Sequence, residues 1–419
     1  MSKTTAFGRG GVVLGAILIQ LCLGAIYAWS VFTPLLSEAG WSKLQTQLVF
    51  SLGLGFFALS MVWAGKRLAV WGPRRLTMAG GLVLGAGYVL AGLLGAANFW
   101  VLAVCIGVIG GTGIGLGYVV PIAVGIRWFP DRKGMITGLA VAGFGFGAMG
   151  WIKLAGSWGH LLDTLGLSAT FMIYGALFAG LVLLGSVWMV FPEEDSAGRT
   201  TASPAAAGAG KEPKKAGLAS GEMIRTLPFY LIFLTFVFGA GAGLMSIGLM
   251  KLYPMEALQR AGLSAVEASG VAGTAMAVFF SLANGLGRII WGVVSDRLGR
   301  KRSIVLMMSL QGAAVFAFIV MAGTPALLYL GATLIGFNFG GNFALFPTLT
   351  ADLFGADRVG ENYPFVFLAY GAGGILGPVL GGLLGDMGNF PLAFGICGGL
   401  CWLGAALAAA ARKPEPRAL

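Results

Sequence analysis

Residues 76–126 read LTMAGGLVLGAGYVLAGLLGAANFWVLAVCIGVIGGTGIGLGYVVPIAVGI, a run without a single charged side chain. A membrane-crossing helix needs about 20 apolar residues. The run is too long for one crossing and fits two, with Asn98 as the break. Residues 303–351 repeat the pattern, divided by Gly323, Thr324 and Pro325. Residues 11–37 are also uncharged. The whole chain of 419 residues is 57% hydrophobic and 10% charged, whereas a soluble domain carries about 25% charge. Such a chain has too little polar surface for water, and a lipid bilayer is its natural solvent.

Taking the uncharged stretches as spans predicts an all-α membrane protein of twelve helices. They fall near 11–36, 46–65, 76–97, 100–126, 134–156, 168–191, 228–250, 268–294, 303–322, 326–351, 361–385 and 389–411. The first apolar stretch exceeds the roughly 7–15 residues of a secretory signal core, so it is expected to stay as the first helix. Segment 192–225 is rich in Ala, Gly, Pro, Ser and Lys and cannot bury a core. It divides the helices six and six. The expected layout is an N-terminal six-helix half over 1–191, a linker over 192–227, a C-terminal half over 228–411 and a tail over 412–419.

The net charge of +11 does not point to nucleic acid, because of where the cations lie. Lys and Arg gather at the N-terminus, after the second, fourth, eighth and tenth spans, in the linker and in the tail. Those positions share one side of the membrane. The exceptions are Lys43, Lys153, Lys251 and Arg260, near the opposite ends, and Arg288. By the positive-inside rule both termini and the linker are expected in the cytoplasm of a multi-pass protein of the cell membrane.

The halves repeat. Gly65-Lys66-Arg67 and Gly72-Pro73-Arg74-Arg75 follow the second span, and residues 292–302 follow the eighth in the same role, 227 positions later. Asp131-Arg132-Lys133-Gly134 and Asp357-Arg358-Val359-Gly360 correspond in the same way, 226 positions apart. Parallel six-helix repeats put a substrate site between them, near the midplane.

The stretch Gly292-Val-Val-Ser-Asp296-Arg297-Leu-Gly299-Arg300-Lys301-Arg302 resembles the signature loop of the major facilitator superfamily. Its first-half counterpart is degraded, with Ala69 where the acid belongs. Tyr27-Ala-Trp29-Ser-Val-Phe-Thr-Pro34, Arg127-Trp128-Phe129-Pro130-Asp131-Arg132-Lys133-Gly134 and Asn362-Tyr363 are similar to the oxalate/formate antiporter family, whose relatives include the monocarboxylate transporters. The resemblance covers the chain outside the linker. It implies the major facilitator fold, two pseudo-symmetric six-helix bundles, and a loop in which Asp296, Arg297, Gly299 and Arg300 pin helix ends in one access state.

Arg288 is the most informative residue. It lies eight positions before Asp296, about 12 Å along a helix at 1.5 Å per residue, close to the middle of a core about 30 Å thick. No Asp or Glu falls inside a span to pair with it. A guanidinium in a water-lined cavity is an anion site, and its planar fork fits a carboxylate. The competing reading is a structural arginine held by backbone carbonyls. Asn284, four residues earlier, shares its helix face and can contact the substrate or orient the guanidinium.

The resemblance adds that monocarboxylate transporters of animals carry an acid at the position of Asn284, and that the oxalate transporter has a lysine at that of Tyr370. One cation suits one carboxylate, so Tyr370 shifts the reading towards monocarboxylates. The resemblance also points the cavity at Tyr27, Tyr118, Phe343 and Phe367.

Other features carry less chemistry. Cys22, Cys105, Cys397 and Cys401 lie in apolar stretches and form no metal or disulfide pattern. Gly107, Gly111 and Gly115, and Gly373, Gly377, Gly381 and Gly385, recur every four residues, which suits close helix packing. Gly145-Phe-Gly147-Ala-Met-Gly150 formally matches a dinucleotide fingerprint but sits inside a span rather than after a strand. His160 is expected in a loop. No phosphate loop, nucleophile–base pair or metal cluster is visible, so neither enzyme nor cofactor is expected. The expected function is secondary transport of a small monocarboxylate of the lactate, pyruvate or formate class, proton-coupled or by exchange, through a monomer in the bilayer. The alternatives are an oxalate/formate-type dicarboxylate exchanger and a non-transporting membrane sensor of carboxylates.

Overall fold

In the computed structural model, residues 4–129, 133–192, 217–355 and 358–412 are described. Eleven helices are long and apolar enough to cross a membrane by length and composition. Pro325–Phe354 is the twelfth; the buried Asn338 and Asn342 at its middle dilute its hydropathy. The spans are α1 (Gly8–Val31), α2 (Lys43–Trp71), α3 (Pro73–Leu94), α4 (Phe99–Gly125), α5 (Lys133–Ala155), α6 (Leu161–Ser186), α7 (Leu227–Leu249), α8 (Ala265–Leu298), α9 (Arg300–Met321), α10 (Pro325–Phe354), α11 (Val359–Asp386) and α12 (Phe390–Ala410).

Polar caps divide the long uncharged runs. Asn98 accepts hydrogen bonds from the Trp100 and Val101 N–H groups at 3.0 and 3.2 Å, which starts α4. Thr324 precedes the Pro325 that opens α10. Gly72 and Gly299, 227 positions apart, end α2 and α8 with φ of 76° and 84°. That conformation is costly for any residue with a Cβ, which explains a glycine at both sites. Three expected boundaries shift. The first helix tightens into a 3₁₀ turn at Gly24–Val31, followed by a separate turn at Thr33–Glu38. α2 runs on to Trp71, because Lys66 and Arg67 ride on its surface rather than ending it. α6 starts at Leu161 and is interrupted at Gly166, φ 74°.

Packing follows the repeat. α1 packs on α5 as α7 does on α11; α2 on α4 as α8 on α10; α3 on α6 as α9 on α12. The two six-helix bundles meet where α2 packs on α11 and α5 on α8. α3, α6, α9 and α12 present exposed apolar residues such as Leu93, Leu184, Val320 and Trp402 outward, as lipid-facing helices do. Exposed Trp71 at the linker end, with Trp100 and Trp158 at the far end, suit the aromatic belts of a membrane boundary. Both glycine ladders are packing devices. A methyl at Gly111 would overlap the Gly53 carbonyl of α2, and one at Gly377 the Gly241 carbonyl of α7.

At the far end, a polar junction ties the bundles together. The Asp386 carboxylate at the end of α11 accepts from the Lys43 and Leu44 N–H groups at 2.8 and 3.1 Å, capping α2 from the other bundle. The Lys43 ammonium reaches Glu256 at 2.5 Å, and Arg260 lies 3.4 Å from the same carboxylate. Gln47 donates to the Gly248 carbonyl at 3.2 Å. A carboxylate at a helix N-terminus contributes about 0.3–2 kcal/mol, and a partly exposed ion pair about 0–1 kcal/mol. Asp386→Asn combined with Lys43→Ala should therefore shift the population towards separated far ends by roughly tenfold. Electron-electron distances between spin labels at Glu38 and Met387, both exposed, should show a larger long-distance fraction. An unchanged distribution would show that the junction does not hold the bundles together.

Candidate functional site

α5 and α8 can cross closely because of small residues. A Cβ built at Gly145 would lie 2.8 Å from the Gly285 nitrogen, and one at Gly138 would lie 3.4 Å from the Arg288 carbonyl oxygen. Val141 lies between these glycines along α5. Its carbonyl accepts a hydrogen bond from Arg288 Nη1 at 2.9 Å, a contact between the bundles. Arg288 Nε donates to Asn284 Oδ1 at 3.1 Å. The guanidinium carbon stands 3.9 Å from the centre of the Phe343 ring and 5.5 Å from that of Phe144. Arg288 has no solvent exposure. A central arginine costs about 2.5–3.5 kcal/mol on insertion scales. Hydrogen bonds from a charged group at about 1.5–3 kcal/mol each and a ring face at about 0.5–2 kcal/mol offset that cost.

An aromatic cage closes around the cation. The Tyr27 and Tyr370 hydroxyls are 3.1 Å apart and join α1 to α11. Tyr370 stacks on Phe367 at 4.8 Å and meets Phe343 edge-on at 5.4 Å. The Tyr118 ring lies 5.4 Å from Phe367, 5.3 Å from Phe144 and 5.0 Å from Phe57. The charge of Arg288 acts on both the Tyr27 and the Tyr118 hydroxyl. Among the described residues, Arg288 Nη2, Asn284 Nδ2 and Tyr118 Oη have no hydrogen-bond partner in good geometry, although the Tyr118 and Tyr27 hydroxyls lie close enough to the guanidinium to interact with it. Buried groups of this kind cost about 1–3 kcal/mol each when left unpaired, more when charged. All three can donate, so the chemical complement of the cage is a small acceptor-only anion. Every described Asp and Glu lies at a helix end or in a connection.

All seven residues expected at the site, Arg288, Asn284, Tyr118, Tyr27, Phe343, Phe367 and Tyr370, belong to this one connected cluster. The expected water-lined cavity differs: the cage is sealed, with Tyr27, Tyr118, Phe367 and Tyr370 as buried as Arg288. The two readings of Arg288 also merge, since one arm of its fork rests on a backbone carbonyl and the other makes no hydrogen bond in good geometry among the described residues. Phe57, Phe144, Phe339 and the Val141 carbonyl complete the walls and were not anticipated. In sequence they are ordinary apolar residues of α2, α5 and α10, and only the glycines around Phe144 hint at a close crossing.

The motif residues divide by role. Trp29 donates to the Thr46 carbonyl at 2.9 Å and pins α1 to α2. At the linker end the Arg127 guanidinium lies 3.8 Å over the Phe191 ring, and Trp128 donates to the Val190 carbonyl at 2.7 Å. Asn362 bonds Leu218 and Ser220 at 3.0 and 2.9 Å, anchoring the chain that enters α7. In the loop after α8, Arg300 pairs with Asp296 at 2.6 Å and lies 3.8 Å from Asp352 of α10. It thus ties the ends of α8, α9 and α10 within one bundle, while Arg297 is exposed. His160 is an exposed connector residue. Asp131, Arg132, Asp357 and residues 193–216 lie outside the described residues.

The sequence matches the family described as Major Facilitator Superfamily over residues 12–279 and 262–419. The uncharacterized MFS-type transporter YhjX of Escherichia coli (strain K12) is 31% identical over 371 residues, 87% of this chain and 85% of that protein. The oxalate:formate antiporter of Oxalobacter formigenes is 27% identical over 385 residues, 91% of this chain and 86% of the antiporter. The apicoplast pyruvate carrier 1 of Toxoplasma gondii is 23% identical over 440 residues, 85% and 80% of the respective chains.

The cage geometry sets the expected behaviour of Arg288 variants. Arg288→Ala should lower affinity for pyruvate, or for oxalate, by roughly ten- to a hundredfold, the worth of a charge-assisted contact. Folding should persist, because the variant removes a charge that the protein only partly satisfies. Arg288→Lys should also be severely impaired, since an ammonium cannot form the two-pronged contact. Thermal-shift titrations of purified protein would measure both. Undiminished carboxylate stabilisation of Arg288→Ala would remove Arg288 from the site.

Proposed function

Because the chain belongs to the major facilitator superfamily and its relatives include transporters, we propose that it moves a small monocarboxylate across the cell membrane by alternating access. The observation that carries this reading is the buried Arg288 guanidinium, whose Nη2, like Asn284 Nδ2 and Tyr118 Oη, has no hydrogen-bond partner in good geometry, with no Asp or Glu among the described residues of the cage. A carboxylate supplies two acceptor oxygens and one negative charge, which matches that set. Two relatives, an oxalate:formate antiporter and a pyruvate carrier, support the same substrate class.

The choice of a monocarboxylate rests on charge matching. The cage has one cation, and Tyr370 stands where the oxalate transporter is expected to carry a lysine. Here the Tyr370 hydroxyl is engaged with Tyr27. The site therefore neutralises one carboxylate. Coupling follows the same logic. Without a carboxylate near Arg288 to take a proton, the anion itself carries the compensating charge, either in exchange for another anion or together with a proton. The cationic linker end faces the cytoplasm in this reading, by the positive-inside rule.

Tyr370→Lys tests the charge rule. The added ammonium can pair a second carboxylate but sits unpaired beside a monoacid, and an unpaired charge at this depth costs several kcal/mol. Preference should move from pyruvate or lactate towards oxalate by at least about a hundredfold. Counterflow of labelled lactate, pyruvate, formate and oxalate in proteoliposomes measures it. Native preference for oxalate with Tyr370 in place would favour dicarboxylate exchange and end the charge rule. Strongly electrogenic, sodium-driven transport would end the coupling proposal.

A further inference from the structure

A second concave site lies between the bundles at the far end. It is a cavity of about 260 Å³ lined by Ser30 of α1, Lys153 and Ser157 at the end of α5, Lys251 just after α7, and Ser269 and Thr274 of α8. Each bundle contributes one lysine. Both lysines are half-buried, and among the described residues neither has an ion-pair partner within 4.0 Å. The nearest acids felt by Lys251 are Asp163 and Glu38, which act on it from a distance, while burial holds its pKa below the usual lysine value. The cavity also lies on the way to the cage. Ser30 is three residues from Tyr27 in the 3₁₀ turn of α1. Met276, at the inner wall of the cavity, is eight residues from Asn284, about 12 Å along α8.

We propose that this cavity is a recruiting site for a small carboxylate, held between Lys153 and Lys251 before it passes inward to Arg288. The ligand class rests on the proposed function, but the site stands on its own residues. Lys153 and Lys251 bring two positive charges to the lining of one cavity, and an anion between them would be attracted by both. Four hydroxyl-bearing side chains on the walls supply donors for its oxygens. Because the lysines come from opposite bundles, their separation changes whenever the bundles rock at this end. A bound anion would favour their approach, which is the movement that seals the far end behind the substrate.

Amine modification tests the site without transport. Full-length protein is treated with an amine-reactive ester in the presence and absence of pyruvate, and acylation of Lys153 and Lys251 is quantified by mass spectrometry. Pyruvate should slow modification of both lysines several-fold in wild type and also in Arg288→Ala, which lacks the central cation. Lys153→Gln should abolish the protection of Lys251. Absence of protection in both proteins, or protection only where Arg288 is present, overturns the recruiting site. Protection in both proteins with no pyruvate, lactate, formate or oxalate flux by wild type would instead overturn the transport reading and leave this site standing.

Flux gives the second readout. Lys153→Gln with Lys251→Gln should raise the apparent KM from the far face about fivefold at low ionic strength, the scale of a partly exposed charge pair. kcat should be kept, and the difference should fade in high salt, where the Debye length is about 3 Å. Lys153→Arg with Lys251→Arg should restore KM. An equal KM change from both faces, or no rescue by arginine, would mean a packing defect rather than anion recruitment.

Discussion

A guanidinium buried between two bundles, with no carboxylate to neutralise it, is the constraint on which the rest of the arrangement depends. A charge in that position has to be held by hydrogen bonds and ring faces. Asn284 supplies an acceptor on the same helix, Val141 a carbonyl from the other bundle, and Phe343 a face 3.9 Å away. Each contact constrains a helix. The Val141 contact requires α5 within hydrogen-bond range of α8, and this suits a glycine at 145, where a Cβ would meet the Gly285 backbone, and at 285, where one would overlap the Phe146 ring of α5. The fold around Arg288 thus follows from satisfying two of its three nitrogens. The third, with Asn284 Nδ2 and Tyr118 Oη, lacks a hydrogen-bond partner in good geometry among the described residues, and the proposed anion would supply one.

How far this was legible in the sequence depends on the range of the interactions. Hydropathy and charge act locally, so the twelve spans and the isolation of Arg288 from acidic side chains could be read directly. Asn284 was legible as well, because a spacing of four puts two side chains on one helix face. Contacts between bundles leave no local trace. Nothing in residues 133–155 marks the Val141 carbonyl as the partner of Arg288, since every residue has a carbonyl. Phe57 and Phe144 read as ordinary core. The tightened turn at Gly24–Val31, which sets the direction of Tyr27, is also invisible in an apolar stretch.

The cations that broke the charge pattern are instructive. Lys43, Lys153, Lys251 and Arg260 stand near the end opposite the main cationic loops, where the positive-inside rule leaves them unexplained. The structure gives two of them partners and two of them a cavity. Lys43 and Arg260 flank Glu256 in the junction between α2 and the second bundle. Lys153 and Lys251 line the cavity between the bundles. Positive charge on that side is thus confined to places where the two bundles meet, and such charges respond to relative movement of the bundles.

The Arg288–Val141 contact gives a ligand a physical means of driving that movement. A ligand shifts a conformational equilibrium only by as much as it binds one state better than the other. In the sealed cage, Arg288 Nη1 is engaged with a carbonyl of the opposite bundle and Nη2 is free. Nη1 carries two N–H groups, so a carboxylate bound by Nη1 and Nη2 shares Nη1 with the Val141 carbonyl; by neutralising the guanidinium it takes away the charge assistance that strengthens this tie between α5 and α8. Val141 and Asn284 are dipoles and leave the empty cage cationic; the carboxylate brings it to neutrality. In the proposed reading these two effects act together. The empty cage is held by the charge-assisted tie and opposed by its own charge when it reorients, whereas the loaded cage has a weaker tie and carries no net charge. A carrier built on this interaction returns more readily with an anion aboard than without one, which is the physical basis for exchange or proton-linked movement over uniport of the bare anion.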